Sequence, residues 1–105
     1  IGMAYKKNVD DLRESPSLRI MDILEKNDLK INYYDPYIKE LPQTRKFKIR
    51  KKSMSLTKKI LNKSIVLIVT DHDNIDYDFI KKNSKYIFDC RGRYKKDYKR
   101  KIVQV

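Results

Sequence analysis

Polar side chains with the chemistry to bind an anion follow four apolar runs of the sequence. They are Lys6, Asp35, Asp71, His72, Asp89 and Arg91. If the runs are parallel strands, their carboxyl ends meet at one edge of the sheet, where open α/β sheets bind ligands. Lysine and arginine offset phosphate charge, and a helix start at Pro16 would add free backbone donors beside them. These residues predict a site for a phosphate or a diphosphate.

Other chemistries have less support in the sequence. His72 stands between two aspartates, but a metal site needs a second His or Cys at ligand spacing. Cys90 ends an apolar run, where cysteine is more often a small buried hydrophobic residue than a nucleophile. The sequence contains no GxGxxG, P-loop or GxSxG pattern. We therefore predict no catalytic residue and no metal site in this chain.

The charged loop over residues 6–14 also has a purely structural interpretation. Its acidic residues can pair with Lys7 and Arg13 at the surface, where exposed pairs add little stability. A phospho-acceptor signalling domain is a further alternative, because aspartates follow the first and third runs. The cations of the same loop make it a poor Mg²⁺ site, which weighs against that alternative.

Two basic segments, residues 45–52 and 93–101, leave a nucleic-acid-binding module open. The second has six basic residues in nine with tyrosines between them, and the whole chain carries a net charge of +12. An ordinary solvated basic surface explains the same composition. The sequence assigns no role to the segment 45–52.

Four short apolar or aromatic runs, over residues 1–5, 30–34, 65–70 and 86–90, predict buried strands. Ser15 and Pro16 predict a helix start, and the helix should end near Asn27. Two shorter helices are expected, one from Thr57 to about residue 63 and one over 77–83. The basic, alternating segment 41–53 is typical of an edge strand.

Alternating strands and helices predict a single α/β domain over residues 1–105. We expect a Rossmann-like three-layer α/β/α arrangement with a mainly parallel sheet in the order 3-2-1-4-5. The single cysteine suits a reducing, cytoplasmic compartment, and the longest aliphatic run is too short to span a bilayer. The apolar opening at Ile1 suggests a fragment of a longer protein.

Four separated motifs occur in the order found in one enzyme family. They are GMAYKKNVDDLRESPSL, YYDPY, LIVTDHDNIDYDFI and DCRGRY. Together they resemble the C-terminal, UDP-binding domain of the UDP-glucose/GDP-mannose dehydrogenase family, nearest to the bacterial UDP-N-acetyl-D-glucosamine 6-dehydrogenases. The resemblance covers nearly the whole chain. It departs from the family where a tyrosine rather than a phenylalanine precedes Lys6, and where the segment 41–53 is unusually basic.

The resemblance implies a role within a longer enzyme. Such enzymes oxidise the C6 alcohol of a UDP-sugar to a carboxylate with two NAD, for surface polysaccharide synthesis. An N-terminal domain binds most of the NAD, and a middle segment carries the catalytic cysteine and mediates dimerisation. The isolated domain is therefore expected to be inactive, to act with the remaining domains of the parent enzyme, and to bind no specific nucleic acid.

The resemblance also implies roles for individual residues. Tyr5 and Lys6 match an aromatic-lysine pair that contacts the UDP-sugar. Arg91, in a DxR motif, matches an arginine on the same ligand. Arg13, in the motif RES, matches a residue that approaches NAD from across the domain interface. Cys90 does not match the family's catalytic cysteine.

Overall fold

The computed structural model describes residues 1–13, 15–43, 49–94 and 101–105. Its elements, in chain order, are helix α1 (Pro16–Lys26), helix α2 (Lys58–Lys63), strand β1 (Ile65–Ile68), helix α3 (Tyr77–Asn83), strand β2 (Tyr86–Asp89) and strand β3 (Ile102–Gln104). The strands form a parallel sheet in the order β1-β2-β3. This confirms a small α/β domain with a parallel sheet, whereas the order 3-2-1-4-5 and the three layers stay predictions.

All three helices begin at side chains that cap them. Ser15, Thr57 and Asp76 each accept a hydrogen bond from a backbone N–H two or three residues later, at 3.2, 3.2 and 3.0 Å. Helix α1 ends at Lys26 with Asn27 as its C-cap. The caps satisfy N–H groups that would otherwise lack a partner at the start of a helix. The predicted helix positions are therefore confirmed.

Two hydrophobic clusters form the core. One joins α2 and α3 to one face of the sheet, where Val66, Ile68, Ile87 and Ile102 are buried. The other joins α1 to the opening residues and to the segment around Tyr33. Burial raises the pKa of the Tyr33 hydroxyl to about 12.

The predicted strands over 1–5 and 30–34 are not regular strands in the structure. Gly2 has a φ of +86°, outside the extended region. The backbone bonds of these segments form no regular ladder; among them, the Gly2 N–H donates to the Tyr34 carbonyl at 2.9 Å, and the Val69 N–H donates to the Ile1 carbonyl at 2.9 Å. The opening residues therefore lie between Tyr34 and the end of β1, but without a continuous ladder.

Side chains take the place of that ladder. The Asp35 carboxylate accepts from two successive N–H groups of the opening segment. Three hydroxyls donate to its carbonyls: Ser17 to residue 2, Ser15 to residue 3 and Thr70 to residue 4. Every backbone polar group of residues 2–4 thus has a partner, as burial requires.

Among the described residues of the segment 41–53, Lys52 forms an isolated antiparallel bridge with Glu40, and no regular strand is present. Two backbone bonds flank the bridge, from Leu41 to the residue 51 carbonyl and from Ser53 to the residue 39 carbonyl, at 3.1 and 2.8 Å. Residues 44–48 lie outside the described part. Strand β3 is an element that the sequence did not predict.

The helices have 11, 6 and 7 residues, whereas a membrane-spanning helix needs about 20. Within the described ranges, none is both long and apolar enough to cross a bilayer.

Candidate functional site

Asp35 is the polar centre of the region beyond the strand ends, and it is almost fully buried. One carboxylate oxygen accepts from the N–H groups of Met3 and Ala4 at 2.8 and 3.1 Å and contacts His72 Nε2 at 2.9 Å. The other oxygen accepts from the Tyr37 N–H at 2.8 Å. These four donors satisfy the buried charge. Asp35 therefore organises the chain and is not exposed to a ligand.

His72 is buried and has partners at both ring nitrogens. Its Nδ1 accepts the Asn8 N–H at 2.7 Å, so the ring proton is on Nε2, where it donates to Asp35. The Tyr37 ring lies 4.6 Å from the imidazole, centroid to centroid. With both nitrogens occupied, His72 is a neutral structural residue. In the described part of the chain, no three His, Cys, Asp or Glu side chains lie where they could share a metal ion.

Asn8 joins the loop after the opening segment to the loop after β1. It adopts a left-handed φ of +64°, a conformation that asparagine tolerates better than most residues. Its side-chain amide donates to the Asp73 carboxylate at 2.7 Å and accepts the Asp73 N–H at 2.9 Å. The hydrogen bond from the Asn8 side chain, together with that from Arg93, lowers the pKa of the Asp73 carboxyl. The two loops are thus locked together.

Arg93 brings in the loop after β2. Its guanidinium lies 3.3 Å from Asp73, 3.6 Å from Asp71 and 4.3 Å above the Tyr77 ring. Sequence analysis missed this residue, although its place two positions after Arg91 in an RGR triplet was the available signal. Its role depends on partners about twenty residues away.

Arg91 extends from a turn that Asp89 shapes. The buried Asp89 carboxylate accepts the N–H groups of Arg91 and Tyr94 at 3.0 and 2.8 Å, and Gly92 has a φ of +71°. The Arg91 Nε donates to the Val69 carbonyl at 2.6 Å, while the side chain stays exposed. Within the described ranges, its two terminal nitrogens have no protein partner. Arg91 is therefore anchored beside the end of β1, and its two terminal nitrogens remain available to a ligand.

Tyr5 and Lys6 lie on the loop that begins this region. Both are exposed, and the Tyr5 N–H donates to the Asp11 carbonyl at 2.6 Å. The Lys6 ammonium forms no ion pair with any described residue. The loops that carry Lys6 and Arg91 both contact the loop over 69–73. The structure therefore brings these two cations to the same end of the sheet.

Arg13 and Lys6 share Asp11 as a neighbour, since both cations help to lower the pKa of the Asp11 carboxyl. The Arg13 guanidinium binds Asp11 through two nitrogens, at 3.2 and 3.0 Å, and these hydrogen bonds lower the pKa of the Asp11 carboxyl. Arg13 lines a cleft of about 460 Å³ whose other polar side chains include Asp10 and Glu40. Neither Lys6 nor Arg91 lines this cleft.

Cys90 is partly buried beside Asp89, and burial together with that carboxylate raises the pKa of its thiol. A raised pKa reduces the thiolate fraction at neutral pH. The geometry therefore gives Cys90 no activation as a nucleophile.

Comparison with known families gives a match to one family model. The UDP-binding-domain model of the UDP-glucose/GDP-mannose dehydrogenase family matches residues 1–96. The chain belongs to this family. No solved structure matches the chain significantly.

Several relatives are named as sugar-nucleotide dehydrogenases. The UDP-N-acetyl-D-mannosamine dehydrogenase of Methanococcus vannielii is 32% identical over 69% of this chain and 15% of its own length. The enzyme of the same name from Pyrococcus horikoshii is 28% identical over 89% of this chain and 20% of its own. The UDP-glucose 6-dehydrogenase of Bacillus subtilis is 32% identical over 71% and 17%. The chain thus spans about a fifth or less of the length of these relatives.

Proposed function

We propose that this chain is the UDP-binding domain of a longer NAD-dependent dehydrogenase. The parent enzyme oxidises the C6 alcohol of a UDP-sugar to a carboxylate, and water supplies the second oxygen. Two NAD⁺ accept the two hydrides. The family match over residues 1–96 carries this proposal. The catalytic cysteine and most of the NAD site belong to other domains, so the 105-residue chain alone is inactive.

The role of the chain is to hold the diphosphate. A diphosphate carries negative charge that the Lys6 ammonium and the Arg91 guanidinium offset, and arginine can bind two phosphate oxygens at once. Tyr5, which is 44% exposed, offers an aromatic face and a hydroxyl beside Lys6. Anchoring by the Asp35, Asn8 and Asp73 network keeps the loops in place before the ligand arrives.

We propose UDP-N-acetyl-D-glucosamine as the sugar nucleotide and surface polysaccharide synthesis as its use. Six relatives carry names that specify UDP-N-acetyl-D-mannosamine, a 2-epimer of that sugar, which supports a 2-acetamido substrate. Turnover of both epimers and of UDP-glucose by the parent enzyme, compared by kcat/KM, tests this choice.

Replacing Lys6 or Arg91 with alanine is expected to weaken UDP binding by about 1 to 3 kcal/mol, the range for loss of a hydrogen bond to a charged group. This corresponds to a roughly 5- to 150-fold higher Kd. Titration of the chain with UDP, followed by backbone amide shifts, measures the Kd. In the parent enzyme the same variants should raise the KM for the UDP-sugar.

Lys59→Ala is the matched control, because Lys59 is an exposed lysine on α2. It should leave the Kd for UDP unchanged. Thermal unfolding checks that the Arg91 variant, which loses its bond to Val69, remains folded. Wild-type affinity for UDP in both alanine variants would refute the assignment.

Arg13→Ala in the parent enzyme is expected to raise the KM for NAD about tenfold, equivalent to about 1.4 kcal/mol, without changing the KM for the UDP-sugar. The reason is that the family resemblance assigns Arg13 to NAD, and Arg13 lines a cleft that neither Lys6 nor Arg91 lines. Steady-state kinetics with each substrate varied in turn measures both constants. Arg19→Ala, at an exposed position of α1, is the control. An effect on the UDP-sugar alone would assign Arg13 to the substrate site instead.

A further inference from the structure

Each of the two loops that carry Lys6 and Arg91 has a second cation close by in sequence. Lys7 directly follows Lys6, and Arg93 comes two residues after Arg91. The Lys7 ammonium lies 3.7 Å from one carboxylate oxygen of Asp73. The Arg93 guanidinium lies 3.3 Å from the same oxygen. Asp73 therefore binds one cation from each loop.

The other cation of each loop remains available to a ligand. Among the described residues, the Lys6 ammonium has no ion-pair partner, and the two terminal nitrogens of Arg91 bind no protein group. If Lys7 and Arg93 were not held by Asp73, all four cations could approach an anion in many arrangements. The contacts of Asp73 thus decide which two side chains face a ligand and from where.

Asn8 makes the contact of Asp73 with the first loop firm. The Asn8 side-chain amide donates to the Asp73 carboxylate at 2.7 Å, and its oxygen accepts the Asp73 N–H at 2.9 Å. The Asn8 backbone N–H donates to His72 Nδ1 at 2.7 Å. A single exposed ion pair would stabilise little, whereas these three hydrogen bonds fix the backbone and the side chain together. The residue that they fix is two positions from Lys6.

The contact of Asp73 with the other loop also involves more than one ion pair. The Arg93 guanidinium lies near two carboxylates, 3.3 Å from Asp73 and 3.6 Å from Asp71, and its side chain is only 31% exposed. It also lies 4.3 Å from the centre of the Tyr77 ring. A single glycine separates Arg93 from Arg91. The position of Arg93 therefore restricts the position of Arg91.

From these contacts we propose that Asp73 is a positioning residue that holds Lys6 and Arg91 at one fixed separation, at which both bind a diphosphate. The inference rests on the proposed UDP binding and adds a reason for preferring a diphosphate to a monophosphate. Each cation offsets the charge of one phosphate, and both can do so at once without an ordering cost only if their loops are already fixed. Asp73 acts through the two loops and does not contact the ligand.

Asp73→Asn is the sharpest test, because asparagine has nearly the same shape as aspartate. It presents an NH₂ group in place of one carboxylate oxygen, so it cannot accept from both Asn8 and Arg93. The 105-residue chain and this variant are titrated with UDP and with UMP, and backbone amide shifts give each Kd. In the wild-type chain, the Kd for UDP should be at least about tenfold lower than that for UMP, because the second phosphate binds a second cation.

The variant should lose that preference. Asp73→Asn is expected to raise the Kd for UDP about three- to tenfold, which is the cost of ordering one or two side chains on binding. The Kd for UMP should change less than about twofold, because one phosphate needs only one of the loops. Loss of a negative charge beside an anion site would by itself strengthen UDP binding, so the expected direction is opposite to a pure charge effect.

Arg93→Ala tests the second half of the same contact. It should reduce the preference for UDP over UMP as Asp73→Asn does. The double variant should bind UDP no more weakly than the weaker of the two single variants, because both substitutions break one contact. If Arg93 bound the diphosphate directly, Asp73→Asn would release it and UDP would bind more tightly, provided that Arg93 is present.

Two controls carry the same replacements at exposed positions away from these loops. They are Asp28→Asn, after α1, and Arg19→Ala, on α1. Both should leave the Kd for UDP and for UMP unchanged. Thermal unfolding shows whether each variant is folded at the temperature of the titration.

The results separate this inference from the proposed function. An unchanged or lower Kd for UDP in folded Asp73→Asn would overturn the positioning role. An equal rise in the Kd for UDP and UMP would also overturn it, because the separation of the two cations would then not matter. A wild-type chain whose amide signals do not respond to UDP would refute UDP binding itself, and the positioning role with it.

Discussion

Asp35→Ala is expected to lower the free energy of unfolding by about 3 to 5 kcal/mol, because it leaves several buried hydrogen-bond donors unsatisfied at a cost of about 1 to 3 kcal/mol each. The substitution removes the acceptor of four donors. They are the N–H groups of Met3, Ala4 and Tyr37 and the ring nitrogen Nε2 of His72. Chemical denaturation of the chain measures the change. The cost is large because three of the four donors, the N–H groups of Met3 and Ala4 and His72 Nε2, are buried.

A double-mutant cycle separates the contribution of the Asp35–His72 contact from that of the three backbone N–H groups. The loss of stability in the double variant is compared with the sum of the losses in Asp35→Ala and His72→Ala. The difference is the coupling energy between the two residues, expected at about 1 kcal/mol or more for groups in contact. Asp10→Ala removes an exposed carboxylate from the same region and should cost less than about 0.5 kcal/mol. A loss in Asp35→Ala no greater than in this control would show that the network does not stabilise the fold.

Gly2→Ala is expected to cost about 2 to 5 kcal/mol of unfolding free energy, combining a left-handed backbone with overpacking. A Cβ at residue 2 would lie 2.1 Å from the backbone carbonyl oxygen of Thr70, and φ is +86°. Backbone atoms cannot rotate away as a flexible side chain can, so the segment or the end of β1 must move. Thermal and chemical denaturation measure the loss.

Gly92→Ala provides the matched control for the steric part. Gly92 has a similar φ of +71°, but a Cβ there would meet no atom within 4 Å. It should therefore cost only the left-handed backbone term, about 1 to 2 kcal/mol. Equal losses in the two variants would mean that the approach to Thr70 contributes nothing.

Local patterns made the helices predictable. Ser15, Thr57 and Asp76 cap helices within three residues of themselves, so each signal and its effect are close together in sequence. The strands were harder, because an extended run forms a ladder only if its partner's backbone is available. In the opening segment, Asp35 and three hydroxyls bind those backbone groups. The apolar runs over 1–5 and 30–34 therefore resemble strands in sequence but form no regular strands in the structure.

One feature of the candidate site, the meeting of the loops that carry its residues, was predicted. The positions of Lys6 and Arg91 followed from the rule that loops after parallel strands converge, and both loops do meet the loop after β1. The parts that sequence analysis missed, Asn8 and Arg93, act through Asp73, which lies 65 and 20 residues away respectively. No periodicity connects residues at such separations. Whether Lys6 and Arg91 bind UDP stays a prediction.

The bonding of residues 2–4 makes ordering of this segment an all-or-none event. Its partners come from the start of α1, from residue 35 and from residue 70, so no short stretch of chain can hold it alone. Because closing such distant contacts costs chain entropy before they stabilise anything, the segment should acquire structure late in folding. Lys6, two residues further on, is then positioned only in molecules that have completed that last step. The proposed UDP binding is therefore expected to be lost whenever this segment unfolds.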